Sequence, residues 1–185
     1  TGKSVVSFAG GSAEFYQWLD NNRGVEFYPV DYVNDPRVIG NIDNMISVNA
    51  ALQCDLMGQV NAEAINRNQF SGVGGQVEFV RGATWSKGGK SIIAMTSTTK
   101  GGAISRIVAG LLPGDPVTTP RTDVDYIVTE YGVAHLRGRD LFDRARQLIS
   151  IAHPNFRDQL KDEFKQIFKR DISMTSGVIK PRHRK

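Results

Sequence analysis

Phe70-Ser71-Gly72-Val73-Gly74-Gly75-Gln76-Val77-Glu78-Phe79-Val80-Arg81-Gly82-Ala83, with Ser91-Ile92-Ile93-Ala94-Met95 shortly after it, sets the class of this chain. Three glycines in four residues close a polar stretch and open an amphipathic segment that reads as a helix. The apolar run after it reads as a buried strand. Loop, helix and strand in that order make one step of an α/β fold. Glycines at this density let the backbone reach φ > 0 and let a ligand approach main-chain N–H groups with no Cβ in the way. A helix that begins there aims its unpaired N–H groups and its positive end at the same spot. The place suits an anionic group or a developing oxyanion, and Gly72, Gly74 and Gly75 are its candidate contacts.

Toward the N-terminus, residues 4–9 form a short β-branched run of strand type that stops at Gly10-Gly11. Ser12 can cap a helix over 13–22, with Phe15, Trp18 and Leu19 on one face. Residues 25–30 read as a second strand. The Asn34-Asp35-Pro36 turn leads into a short helical or irregular segment ending near Asn41, and 45–56 reads as a strand with a bulge around Asn49. On the other side of the glycine loop, Gly88-Gly89-Lys90 is a tight turn, and 106–109 and 125–129 are two further short strands. The last third is helical. Residues 140–151 place Leu141, Ala145, Leu148 and Ile149 on the apolar side and Arg144 and Arg146 on the other. Pro154 starts a final helix to about Arg170, with Phe156, Leu160, Phe164 and Phe168 at helical spacing. The expected architecture is α/β, a central mixed sheet flanked by helices, over residues 1–170; residues 171–185 are expected to be a flexible basic tail.

At 185 residues the chain is long enough for one domain with its own core, and a hydrophobic fraction of 40% is ordinary for a globular protein. No apolar run approaches the roughly 18 residues of a membrane span, and no secretory signal is visible. The lone Cys54 cannot form an internal disulfide, which suits a reducing compartment, and a cytoplasmic location is expected. The net charge of +4 comes from Lys180, Arg182, Arg184 and Lys185; without them the basic residues match the 19 acidic ones. A charged terminus of that kind is a solvated tail, and nucleic acid is not an expected partner. The chain opens at Thr1, without methionine, directly before a strand, and is expected to be a piece of a longer polypeptide.

Most other motifs resolve to ordinary structure. Gly2-Lys3-Ser4 lacks the upstream glycine and strand of a phosphate loop, and Gly10-Gly11-Ser12 reads as a turn and a cap. His135, His153 and His183 are far apart with no cysteine pair or His-x-x-x-His spacing, so no metal is expected. No Gly-x-Ser-x-Gly elbow is present, and Cys54, flanked by apolar residues, reads as a core thiol. Three polar residues stay open. Glu130, placed at a strand-to-helix junction, either faces a cleft as a base or nucleophile or has a structural role. Glu78, one turn into the helix, either stabilises the helix N-terminus or acts as such a group. Asn49, polar in an apolar strand, either fixes the bulge or presents an amide to a ligand.

With these residues in view, the chain resembles the C-terminal domain of the acetyl-CoA hydrolase/transferase family. The similarity runs from Ser4 to about Phe168. It is strongest in Asp55-Leu56-Met57-Gly58-Gln59-Val60-Asn61, in the run from Phe70 to Ala83, in Val128-Thr129-Glu130-Tyr131-Gly132-Val133-Ala134, and in Leu148-Ile149-Ser150-Ile151-Ala152-His153-Pro154. The resemblance implies a CoA-transferase-type fold and the transfer of coenzyme A from a short-chain acyl-CoA to a carboxylate such as acetate. In the family a glutamate attacks the thioester, and the resulting glutamyl-CoA thioester is resolved by the acceptor acid in ping-pong fashion. The coenzyme A and oxyanion contacts include an asparagine matching Asn49 and a glycine loop matching Gly72, Gly74 and Gly75. The family's nucleophilic glutamate lies in a Thr-Glu-Met-like or Ser-Glu-Met-like motif upstream of this stretch, and no residue here matches it; Glu130 belongs to a different motif. Glu78 stands where relatives often carry aspartate, which keeps the charge. The implied partners are acyl-CoA, a short-chain carboxylate, the N-terminal half of the same enzyme and, in an oligomer, further copies; coenzyme A is a substrate, with no permanently bound cofactor. The alternatives are a hydrolase of the same family, in which water resolves the intermediate, and a non-catalytic acyl-CoA-binding domain.

Overall fold

The computed structural model describes residues 2–65 and 68–173. In chain order the elements are β1 (Ser4–Val6), α1 (Ala13–Leu19), β2 (Val25–Phe27), α2 (Val30–Val33), α3 (Pro36–Gly40), β3 (Ile46–Ala50), β4 (Gln53–Asp55), β5 (Val60–Asn61), β6 (Ala64–Ile65) and β7 (Asn68–Gln69). There follow α4 (Gln76–Trp85), β8 (Lys90–Ala94), β9 (Thr98–Thr99), β10 (Ile104–Ser105), β11 (Ile107–Val108), β12 (Tyr126–Thr129), β13 (Gly132–His135), α5 (Leu141–Ile151) and α6 (Pro154–Phe168). Among them no helix is long and apolar enough to cross a membrane.

The central sheet has the order β13-β12-β8-β3. β3, β8 and β12 run parallel and β13 returns antiparallel, so the sheet is mixed, as expected. Asn49 is paired with Ile93, and Ala50 with Ala94, which pairs in turn with Val128. The carboxyl ends of the three parallel strands therefore share one edge, where open α/β sheets place their ligands. A second sheet, β11-β4-β5, lies beside the first, and β1 and β2 form a separate parallel pair.

The two faces of the central sheet differ sharply. On one, Ser47, Ser91, Ile93, Ile127, Thr129 and Ala134 are buried. Ile93, Ile127 and Ala134 join Leu56, Val60, Ile107, Leu136, Leu148 and Phe164 in the main core. Burying each large side chain of that set stabilises the fold by about 1.5–3 kcal/mol. On the opposite face, none of Ile46, Val48, Ala50, Ile92, Ala94, Tyr126, Val128 and Val133 is buried. Val48 is 65% exposed and Val133 60%.

Local chemistry sets the helix ends. Asp140 caps α5, accepting from the Phe142 and Asp143 amides at 2.8 and 2.9 Å. Asp35 caps α3 through the Arg37 amide at 2.8 Å, and the His153 Nδ1 caps α6 by accepting from the Asn155 amide at 3.3 Å. Pro36 and Pro154 occupy the first helical positions, where a missing N–H costs nothing. Ser12 caps α1 as expected, and Gly88 makes the turn into β8 with φ of 76°.

Several expectations are corrected. Residues 45–56 are two strands in two sheets: the chain leaves the central sheet after Ala50, and the Leu52 amide already donates to Asn61 O at 2.9 Å. Asn49 lies in regular pairing with Ile93, so there is no bulge there for it to fix. The strand expected over 25–30 stops at Phe27, because Pro29 cannot donate to a ladder and instead opens α2. Glu130 is at the turn of the β12–β13 hairpin, not at a strand-to-helix junction. Helix α1 is shorter than 13–22, and its aromatic face is open: Trp18, stacked on Phe15, is 59% exposed.

Arg144 is the largest departure from the sequence pattern. Its helix position suggests a solvated face, yet it is buried. Nη1 donates to Met57 O at 3.2 Å and Arg121 O at 2.9 Å, and Nε donates to Arg139 O at 3.2 Å. One guanidinium thus ties three turns to α5. Gly58, with φ of 87°, leaves it room, since a Cβ there would lie 2.9 Å from Nη1. Ile172 packs on the core beyond α6, and its carbonyl accepts from Arg146 at 3.1 Å. Of the expected tail, 171–185, the first three residues are described, with Ile172 against the core, and the rest, with its four basic residues and His183, lies outside the described residues.

Candidate functional site

A cavity of about 560 Å³ opens where β3 meets the N-terminus of α4. Asn49, Gly74, Gly75 and Gln76 supply its polar wall, with Asn34; Val5, Val33 and Phe79 are among its apolar walls. The fold therefore brings three of the four candidate contacts together. Gly72 is exposed and lies outside this lining.

Each polar group is held for a reason. The Asn49 Nδ2 donates to Ser47 Oγ at 2.9 Å, which orients the amide and uses one of its two N–H bonds. Gly75 caps α4 with no side chain to satisfy the helix's first amides. Those N–H groups remain available, and the helix dipole favours negative charge beside them. Gly74 needs its glycine for φ of 60°, whereas Gly75 (φ −97°) needs it for space: a Cβ would meet Asn34 Nδ2 at 2.4 Å.

A buried polar network holds the loop from beneath. Gln76 Nε2 donates to Thr119 Oγ1 at 3.1 Å, and Thr119 pairs with Val60 through amide and carbonyl. Asn61 Oδ1 accepts from the Glu63 and Ala64 amides at 3.0 and 3.1 Å. The Glu63 carboxylate accepts from Thr118 Oγ1 at 2.7 Å, while its carbonyl accepts from the Phe70 and Ser71 amides at 2.7 and 3.1 Å. The segment from Asp55 to Asn61 and the glycine loop thus form one unit. Gln76, Thr118 and Thr119 escape a reading of the sequence because their partners are more than 40 residues distant.

Glu130 accepts from the Ser97 amide at 2.8 Å and from Ser97 Oγ at 2.6 Å. Partial burial pushes its carboxyl up, but the Ser97 hydrogen bonds outweigh that and hold it below the usual range. The pair fastens the loop after β8 to the hairpin turn at the carboxyl edge of the sheet. Glu78 is half-buried on the first turn of α4, and its Oε2 has no hydrogen bond among the described residues. Burial drives the Cys54 thiol well above its ordinary value, as befits a core residue. Burial also pushes the Asp55 carboxyl up, although the Gln59 side chain and the Met57 and Gln59 amides bind it at 2.6–3.0 Å.

The two described histidines, His135 and His153, are committed elsewhere. His135 lies 3.0 Å from Asp125 and stacks on Tyr126, and His153 caps α6 beside Tyr131. Among the described residues no group of three His, Cys, Asp or Glu side chains could hold a metal ion. The polar lining of the cavity is neutral, made of side-chain amides and glycine backbone, groups of the kind that can donate N–H bonds to an oxyanion.

Known proteins resemble this chain over most of its length. Residues 11–164 match the family described as acetyl-CoA hydrolase/transferase C-terminal domain. The chain is 58% identical over 167 residues to the 4-hydroxybutyrate coenzyme A transferase of Clostridium kluyveri, covering 90% of this chain and 39% of that protein. It is 52% identical over 162 residues to the succinyl-CoA:cyclohexane-1-carboxylate CoA transferase of Geobacter metallireducens, covering 88% and 37%. The crystal structure of RipA from Yersinia pestis superposes with a TM-score of 0.85 at 48% identity, over 90% of this chain and 38% of that one. The chain thus spans about two fifths of the length of the relatives it matches.

Proposed function

This chain belongs to the acetyl-CoA hydrolase/transferase C-terminal domain family, and on that premise we propose that it forms the coenzyme A-facing part of a CoA-transferase. The full-length enzyme moves coenzyme A from a short-chain acyl-CoA, such as a 4-hydroxybutyryl, butyryl or acetyl thioester, to a carboxylate such as acetate. One observation carries the reading: the Asn49 amide and the backbone of Gly74 and Gly75 line one cavity at the start of α4. A glutamate carboxylate from outside these 185 residues attacks the thioester carbonyl. The electron pair displaced onto oxygen is stabilised by the free N–H of Asn49 and by the α4 N-terminal amides. Collapse expels coenzyme A thiolate, which attacks the acyl-glutamyl anhydride to give a glutamyl-CoA thioester and the first carboxylate. The acceptor acid then repeats the sequence in reverse. Gly72 lies further along the same loop and acts on the coenzyme A side of the site. Cys54, a lone buried thiol, suits an enzyme of the cytoplasm.

The test is Asn49→Ala in the full-length polypeptide, assayed with butyryl-CoA and acetate. Loss of one oxyanion donor lowers kcat by roughly 10²–10³ with the melting temperature unchanged. An unchanged kcat removes Asn49 from the site. Following free coenzyme A in the wild type separates the neighbouring activity: release exceeding transfer identifies a hydrolase.

A further inference from the structure

A second cavity, of about 350 Å³, adjoins the first and shares Val5, Val33 and Phe79 with it. The mechanism above leaves it unused. Its remaining walls are mostly apolar, and its polar groups come from β2 and the segment after it. There Tyr28 donates to Glu26 Oε2 at 3.5 Å, and Glu26 Oε1 is held by Lys3 at 2.6 Å. The Tyr32 ring lies against that of Tyr28, with centroids 5.2 Å apart. A few polar groups at one end of an apolar space within reach of a reacting centre make a ligand subsite.

Resting on the reading above, we propose that this second cavity holds the acyl chain of the thioester and sets the enzyme's preference among acids. The carbonyl stays at Asn49 and Gly75, the chain passes Phe79, and its far end meets Glu26 and Tyr28. Volume and polarity define the class: unbranched acyl groups of a few carbons ending in a methyl or a hydroxyl. A terminal hydroxyl can donate to Glu26 or accept from Tyr28. A terminal carboxylate would bring a second negative charge to Glu26, whose Oε1 already occupies Lys3. A neighbouring face of the first cavity would show none of this selectivity, so chain length is the discriminating variable.

The experiment uses the full-length polypeptide and donor thioesters of two, four and six carbons, with the 4-hydroxy analogue of the four-carbon one. Ile42 lines the second cavity and not the first, and it is 54% exposed, so Ile42→Trp adds bulk without disturbing the core. This variant is expected to lower kcat/KM for the six-carbon donor by about tenfold or more while the two-carbon donor stays within about twofold. Tyr28→Phe is expected to lower the ratio of hydroxylated to plain four-carbon donor severalfold at unchanged stability. Equal change for every chain length in Ile42→Trp, or none, overturns the proposal, as does an unaltered hydroxyl preference in Tyr28→Phe. If Asn49→Ala is inactive while Ile42→Trp is blind to chain length, only this inference fails. If Asn49→Ala is fully active, the function proposed above fails with it.

Discussion

Gly82→Ala puts a measurable strain on the joint between α3 and α4. The added Cβ would lie 2.5 Å from both Cβ and Cγ2 of Ile39, and 3.3 Å from Pro36 O. Carbon atoms in optimal contact stand about 3.5–4.0 Å apart, so α3 must retreat by about 1 Å. Ile39 cannot escape by changing rotamer, because its own Cβ is one of the atoms struck and it is 2% exposed. Overpacking of this kind costs about 1–3 kcal/mol. Against it stands the helix propensity gained by replacing glycine with alanine inside a helix, about 1 kcal/mol at most. Two atoms of one buried side chain are struck at 2.5 Å, which puts the cost at the upper end of the overpacking range, about 2–3 kcal/mol, and the balance is a loss of about 1–2 kcal/mol. It is read as a lowered unfolding midpoint in urea for the full-length polypeptide, with fluorescence and circular dichroism transitions compared for coincidence. The same displacement reaches the site, since α3 follows Asn34, which packs against Gly75 at the cavity wall. An accompanying rise in KM for the acyl-CoA is therefore expected. A variant as stable as the wild type, or more so, would refute the argument, because propensity would then have won over contact.

Three further outcomes follow from the geometry. Cys54, 0% exposed and with its thiol held up by burial, should resist alkylation at neutral pH in the native protein and react fully in denaturant; native modification at the unfolded rate would contradict its placement. For Asp55, burial raises the folded carboxyl above its ordinary value, so the folded state binds the proton more readily than the unfolded one. The cost of ionising it sets in as pH rises above 3.8, the ordinary value, and is complete above the folded value. Asp55→Asn, which keeps an acceptor for the Met57 and Gln59 amides, should therefore gain on the wild type between pH 4 and neutrality; a loss over that range would reverse the sign. His153→Ala removes the α6 cap and should cost about 0.5–2 kcal/mol, while His153→Asn, able to accept from the same amide, should restore most of it. Equal losses in both variants would mean the ring contributes by packing on Tyr131 and Phe156 instead.

The sequence is most informative where the signal is local. Ser12, Asp140 and Pro154 mark helix starts within a few residues, and the glycine loop announces the start of α4 because its neighbours are on the page beside it. It is least informative where partners are remote. Nothing between Ala50 and Gln53 signals a change of sheet, since an apolar strand reads the same whichever ladder it joins; the choice is made by Asn61 and Arg106, which bond Leu52 and Cys54. Gly132 to His135 is too short after its turn to register as β13, and only pairing with Tyr126 to Thr129 makes it a strand. Arg144 is read as a solvated charge because the three carbonyls that bind it come from residues 57, 121 and 139. Of the candidate site, Asn49, Gly74 and Gly75 are legible as chemistry, but their common cavity is a product of the β3–α4 arrangement, as is the absence of Gly72 from its lining.

The unequal faces of the central sheet divide the meaning of a mutation by parity. Along β3 and β8, Ser47, Ser91 and Ile93 are read by the domain itself, and altering them changes whether this unit folds. One residue away, Val48, Ile92 and Ala94 look outward, and Val133 does the same on β13. Changing them leaves the unit's own stability nearly intact and alters only its fit to whatever lies against that face. Intrinsic folding and address are thus interleaved in the same few strands, and a stability scan of this unit alone would score half of those positions as silent.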